Sequence, residues 1–237
     1  MPNQKAGLIA FLVLTLLLSA LAARQYPVDK EHLRQLENHR RLAADWQKLI
    51  PERRDALLND PAAPTAGNPN GDVPLVVFLD YNCLHCRTAD LIIQQALKDD
   101  PNLKVVYQEH PVLGPDSKFA AVAALASHKQ GKYEPFHHAL MAAPGPLSEF
   151  SILTIARHVG VDVEQLKRDM KDPAIEDALE RNRALARELY ITGTPALVLG
   201  DEVIAGVPEI PTLERLIAKE REKAKRGYRA RPPTSAF

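Results

Sequence analysis

A chain of 237 residues is long enough for one domain of ordinary size with extensions, or for two small ones. Lys and Arg total 30 and Asp and Glu total 30, so the basic excess that a nucleic-acid footprint needs is missing, and no nucleic-acid partner is expected. Apolar residues at 46% supply a proper core, which excludes disorder as the default state.

The first 24 residues, MPNQKAGLIAFLVLTLLLSALAAR, follow the export pattern. Lys5 is the positive n-region, Leu8 to Leu18 the apolar stretch, and Ala20-Leu21-Ala22 a small-x-small cleavage site. Ala6 to Ala23 is also an uncharged run of 18 residues, at the lower edge of what spans a bilayer. Residues 1–23 therefore read as a cleaved signal or as an inner-membrane anchor. Both deliver the remainder to the periplasm, where disulfides persist.

Residues 24–59 read as a charged helical segment, in which Leu36, Ala43 and Ile50 recur every seven positions with Trp46 near the same stripe. His39 and Arg40 interrupt it. The stripe predicts either packing on the chain's own domain or self-association into a homo-oligomer. Residues 60–72, dense in Pro, Gly and Asn, read as a linker.

A globular domain is expected over 73–226. Leu75 to Leu79 reads as a buried strand, and the helix after it puts Ala89, Ile92, Ile93, Ala96 and Leu97 inward. Leu103 to Tyr107 is a second strand. A helical block over about 115–190 follows, with a helix from Asp116 to Gln130 stopped by Gly131, and caps at Ser148, Asp162 and Asp172-Pro173. Ala196 to Leu199 and Glu202 to Ala205 form a hairpin about Gly200-Asp201, and a last helix spans Pro211 to Lys225. Residues 227–237 read as a disordered tail. The order predicts an α/β fold with a parallel β-α-β unit, then an antiparallel hairpin with a covering helix.

DYNCLHCRTAD, at 80–90, holds the only two cysteines, Cys83 and Cys86. A disulfide between them would close too small a ring to stabilise much. Haem attachment wants His directly after the second cysteine, where Arg87 stands. Structural zinc wants two more ligands, and no second CxxC exists. His137-His138, neighbours about 100° apart on a helix, read as surface residues. A redox couple fits, because the motif follows a strand and opens a helix. Unpaired N–H groups and the positive dipole end there favour a Cys83 thiolate. Cys86, one turn on, is placed to resolve a mixed disulfide, and His85 adds a donor or a positive charge near Cys83. Binding of Cu(I) by the two thiolates is the rival reading.

GNPNGDVPLVVFLDYNCLHCRTAD together with ITGTPALVLGDEVIAGVP resembles the DsbA-like exported thiol–disulfide oxidoreductases, in the branch of the ScsC-type proteins. The resemblance runs from about Asn68 to Ala224. It implies a thioredoxin fold with a helical insertion between the second and third strands, and Pro195 as a cis-proline facing the cysteines, with Thr194 before it. It implies no cofactor, exported protein substrates, and a membrane partner that re-oxidises or reduces the cysteine pair. Thr194 resembles isomerase-type members, so the direction expected is isomerisation or reduction rather than net oxidation. Relatives commonly carry a buried Glu and Lys that relay protons to the resolving cysteine. The matching positions here are read as Val77 and Gln108, which leaves that proton without a carrier. Glu109, next to Gln108, is read as a solvated loop carboxylate, with substitution for the missing relay residue as the alternative.

Overall fold

The computed structural model describes residues 30–230, with side chains over 31–226, together with the isolated position Thr15. Apart from Thr15, the export segment expected over residues 1–23 lies outside the described residues, as do residues 231–237 of the expected tail. Among the described residues no helix is long and apolar enough to cross a membrane. The chain divides into two units between Ala44 and Asp45.

Helix α1 (Lys30–Glu52) begins in the first unit, where Leu33 and Leu36 are exposed. In the second unit its last turns continue into α2 (Arg54–Leu58), and Ile50 and Leu57 are buried. Trp46 Nε1 donates to the Leu189 carbonyl at 2.8 Å. This stretch of the expected N-terminal segment is part of the globular core rather than an appendage.

Strand β1 (Thr65–Gly67) lies inside the stretch expected as a linker and pairs antiparallel with β3 (Leu103–Glu109). Gly67 has φ +75, and a Cβ there would meet the Leu103 carbonyl at 2.5 Å, so this position takes only glycine. Residues 60–72 are therefore not a free linker. Their Pro, Gly and Asn serve tight turns against the sheet.

Strand β2 (Val73–Leu79) runs parallel to β3, joined by α3 (Leu84–Asp99), and antiparallel to β4 (Ala196–Leu199), which forms a hairpin with β5 (Glu202–Ala205). The sheet order is β1-β3-β2-β4-β5. Both central strands are buried almost throughout, because each is covered on both faces. Between β3 and β4 lie α4 (Pro115–His128), α5 (Tyr133–Ala142), α6 (Glu149–His158), α7 (Val163–Asp169) and α8 (Pro173–Glu188). The caps expected at Ser148, Asp162 and Asp172 each accept from a backbone N–H. The last helix, α9, spans Ile210–Ala230, so residues 227–230 of the expected tail are helical. The architecture is the thioredoxin fold with its helical insertion.

Alternation along the strands sorts the core into two clusters. Leu75, Val77, Leu79, Val105 and Tyr107 join the larger one with Ile93, Ala124 and Phe136. Val76, Phe78 and Val106 join the smaller one with Ile50, Leu57 and Leu189. Opposite side chains of one strand thus serve different layers.

Candidate active site

β2 ends at Leu79, and Cys83 stands in extended backbone as the N-cap of α3. The turn between them is held by Asp80, a buried carboxylate. One of its oxygens accepts from Asn82 N at 2.8 Å, and the other from Val112 N and Leu113 N at 2.8 and 3.0 Å. Asn82 Oδ1 in turn accepts from Leu147 N at 2.7 Å, which ties the motif to the start of α6. The turn leading into the cysteines is thereby tied to two separate loops.

Both cysteines are free thiols. Cys83 retains 7% exposure at the helix end, whereas Cys86 falls to 2%. Cys83 Sγ lies 3.2 Å from the Thr194 carbonyl oxygen, and the Thr194–Pro195 bond is cis. Asp80 N–H donates to Cys86 Sγ at 3.4 Å. Burial pushes the Cys86 thiol well above its ordinary range, and that one donor does not offset it. The structure thus brings Cys83, Cys86, Thr194 and Pro195 together. His85 is exposed on the first turn of α3, beside exposed Leu84.

Three expectations are corrected. Val77 and Gln108 do not face one site: Val77 pairs with Tyr107, and Gln108 with Phe78. Val77 and Tyr107 line a small pocket with Cys86, while Gln108 points to the other side and donates to the Leu57 carbonyl at 3.3 Å. Glu109 is not a loop carboxylate but the fully buried last residue of β3. Tyr81 Oη and Tyr133 Oη each donate to its Oε1 at 2.8 Å. Burial outweighs those two hydroxyls and raises its pKa to about 8. His137 is not a surface residue. It is 1% exposed, its ring stacked on Tyr133 and close to Tyr107.

His137 belongs to a polar network that the sequence reading missed. Its Nε2 lies 3.1 Å from Asp90 Oδ1 and its Nδ1 3.0 Å from Tyr81 Oη. The other Asp90 oxygen lies 3.2 Å from His138 Nδ1 and accepts from Gln94 at 2.7 Å. Burial alone would raise the Asp90 pKa, but the two histidines hold the carboxyl well below its usual range. The adjacent histidines diverge: burial lowers His137, and the hydrogen bond to Asp90 raises His138. Asp90 follows Cys86 by four residues on α3, a helical spacing that could have flagged it. The approach of α5 carries no comparable local signal. Asp90, His137 and His138 form the one cluster of metal-ligand types among the described residues, and both histidine nitrogens nearest Asp90 are already hydrogen-bonded to its carboxylate.

The cysteines at the start of α3 and the cis-proline loop both lie within the region that matches known proteins. The profile of the DSBA-like thioredoxin domain matches residues 74–218. The chain belongs to that family. Among similar proteins, a thioredoxin-like oxidoreductase from Silicibacter pomeroyi DSS-3 is 47% identical, covering 71% of this chain and 98% of its own, with a TM-score of 0.70. Proteus mirabilis ScsC in a transitional conformation is 26% identical over 94% of this chain and 100% of its own, with a TM-score of 0.69. The probable disulfide bond formation protein D of Bacillus cereus is 26% identical over 66% of this chain and 78% of its own length. The protein is a thiol–disulfide oxidoreductase of the DsbA and ScsC type.

Proposed function

We propose that the protein exchanges disulfides with exported polypeptides in the periplasm through a Cys83–Cys86 couple, and that it works chiefly as an isomerase or reductase. The Cys83 thiolate attacks a client disulfide. An S–S bond forms to Cys83, and the second client sulfur leaves as a thiolate. In isomerisation a client thiolate then attacks its own half of the mixed disulfide and Cys83 departs with the electron pair. In reduction Cys86 displaces the client instead, and a membrane reductant restores the dithiol. Pro195, whose nitrogen carries no hydrogen, leaves the Cys83 sulfur without a competing donor on that side, and Thr194 offers backbone polar groups to the client strand.

The observation that carries this reading is the placement of Cys83 at the N-cap of α3, 3.2 Å from the Thr194 carbonyl, with Cys86 one turn deeper. Thr194 before the proline supports the isomerase direction. Exposed Leu33 and Leu36 on the N-terminal helix support self-association, which would keep oxidases away from Cys83. Full-length protein should therefore sediment as an oligomer, and Leu36→Glu should shift it towards monomer; a wild-type monomer at micromolar concentration defeats that part.

Refolding of scrambled ribonuclease tests the activity. The wild type should restore it and Cys83→Ser should not. A glutathione titration separates the two directions: a couple well above about −270 mV, the thioredoxin value, fits isomerisation, and one near it fits reduction. Stoichiometric Cu(I) uptake by the reduced protein without any exchange activity would replace this reading with a copper-binding one.

A further inference from the structure

Resolution of a mixed disulfide needs Cys86 as a thiolate, yet burial holds it as a thiol. Its proton must leave as the Cys86–Cys83 bond forms. The carboxylate–lysine pair that relatives use has no counterpart at Val77 or Gln108, and Gln108 is on the wrong face of the sheet.

The pocket against Cys86 is otherwise apolar, lined by Val77, Leu79, Ile93 and Met141, but Asp90, Tyr107 and His137 also reach it. Asp90 is one helical turn from Cys86 on the same face of α3. One Asp90 oxygen meets buried His137; the other meets His138, which is 27% exposed and lies 3.9 Å from exposed Glu134. The carboxylate thus stands between the pocket that Cys86 lines and half-buried His138.

We propose that Asp90 and His138 form the proton route for Cys86, with His137 as the positioning residue that holds the carboxylate. This rests on the Cys83–Cys86 reading above. In resolution the Cys86 proton passes to the Asp90 carboxylate and on to Nδ1 of a neutral His138 that carries its own proton on Nε2. The imidazolium releases the Nε2 proton to solvent, the Cys86 thiolate attacks Cys83 Sγ, and the client sulfur leaves with the electron pair. In the reverse direction, when a client thiolate opens the Cys83–Cys86 disulfide, the same route delivers the proton to departing Cys86.

The charged and titratable groups facing this route are few. Around Cys86 they are Cys83, with the Asp80 backbone N–H and the Thr194 side chain as hydrogen-bonding neighbours. Around Asp90 they are His137 and His138 from α5, with Tyr107 from β3 and Glu134 further out. Tyr81, Glu109 and Tyr133 continue the network beyond His137 Nδ1. Arg87 is turned away, its guanidinium donating to the Tyr81 and Ala143 carbonyls.

The test is single-turnover reaction of reduced full-length protein with a peptide disulfide from pH 5 to 9, quenched in acid, with the mixed disulfide followed over time. In Asp90→Asn the mixed disulfide should form at the wild-type rate and decay about 100-fold more slowly at pH 7. The deficit should shrink as pH rises, because hydroxide then takes the proton directly. His138→Gln, at the half-exposed end, should slow decay about tenfold at pH 7 without slowing formation. Wild-type decay in either variant, or a slowdown equal at every pH or in both steps, overturns the proton route. Should Asp90→Asn not fold, His138→Gln decides alone. A Cys83→Ser variant that still forms a mixed disulfide would instead overturn the reading of the couple itself.

Discussion

On one face of the central sheet Val77, Leu79 and Tyr107 meet Cys86, Asp90 and His137; on the other, Phe78 and Val106 are sealed by Ile50, Leu57 and Leu189. The residues alternate along the same two strands, so the faces share a backbone and a register. The first face buries Asp90, Glu109, His137, Tyr81 and Tyr133 in one hydrogen-bonded network, with half-buried His138 at its edge and the Tyr107 ring against His137. The second buries fewer polar groups: the Gln108 amide donates to the Leu57 carbonyl, the Asn182 amide donates to the Glu109 carbonyl, and the His110 ring stands edge-on to Phe78. Buried polar groups cost stability unless they are paired, and are retained where chemistry uses them. The contrast teaches that the polar network gathers beside the cysteines on the α3 side, and that the N-terminal helices supply stability on the other.

The largest effect should come from the first face. Cys83→Ser should abolish refolding of scrambled ribonuclease while leaving the thermal midpoint within about 2 °C, since it changes one atom of a helix cap. A large fall in the midpoint would blur the division between faces.

Glu109→Gln should show the stability held back by burying a carboxyl, and its sign depends on pH. Below about pH 4.5 the group is protonated folded and unfolded, so its burial brings no pH-linked loss. Between that value and about 8 the unfolded chain releases the proton first, so the wild type loses stability as pH rises, and above about 8 the loss is complete. The variant should therefore gain on the order of 3 kcal/mol over the wild type at pH 9 and little at pH 5, by urea unfolding. A gain independent of pH would mean Glu109 is ionised in the fold.

Leu57→Ala tests the second face. It removes a fully buried side chain and should cost about 2 to 4 kcal/mol in urea unfolding, with the exchange rate per folded molecule unchanged. Loss of exchange in the folded fraction would show that the faces communicate. The smallest change is Trp46→Phe, which deletes the donor to the Leu189 carbonyl and should cost about 1 kcal/mol. An unchanged midpoint would mean that this part of α1 leans on the domain without stabilising it.

Much of this division was legible in the residues. The apolar runs of β2 and β3, the helix between them and the caps at Ser148, Asp162 and Asp172 are local signals, each depending on neighbours within a few positions. Two cysteines one helical turn apart after a strand are equally local. Residues 60–72 misled because turn-rich composition cannot distinguish a free linker from a strand laid along a sheet edge. Glu109 and His137 misled because polarity predicts exposure on average, and only packing shows where a polar side chain is enclosed.

By itself the sequence determined the order of elements, the position of the cysteine pair at a helix start and the family, since these rest on periodicity, spacing and motif. Only the tertiary structure decided which side of β3 faces Cys86, that Tyr107 rather than Gln108 opposes Val77, and that α5 brings His137 and His138 to Asp90. The reason is geometric. A strand exchanges faces with a shift of one residue, and helices 47 positions apart meet according to how the whole core packs, so neither relation is written in any short stretch of chain.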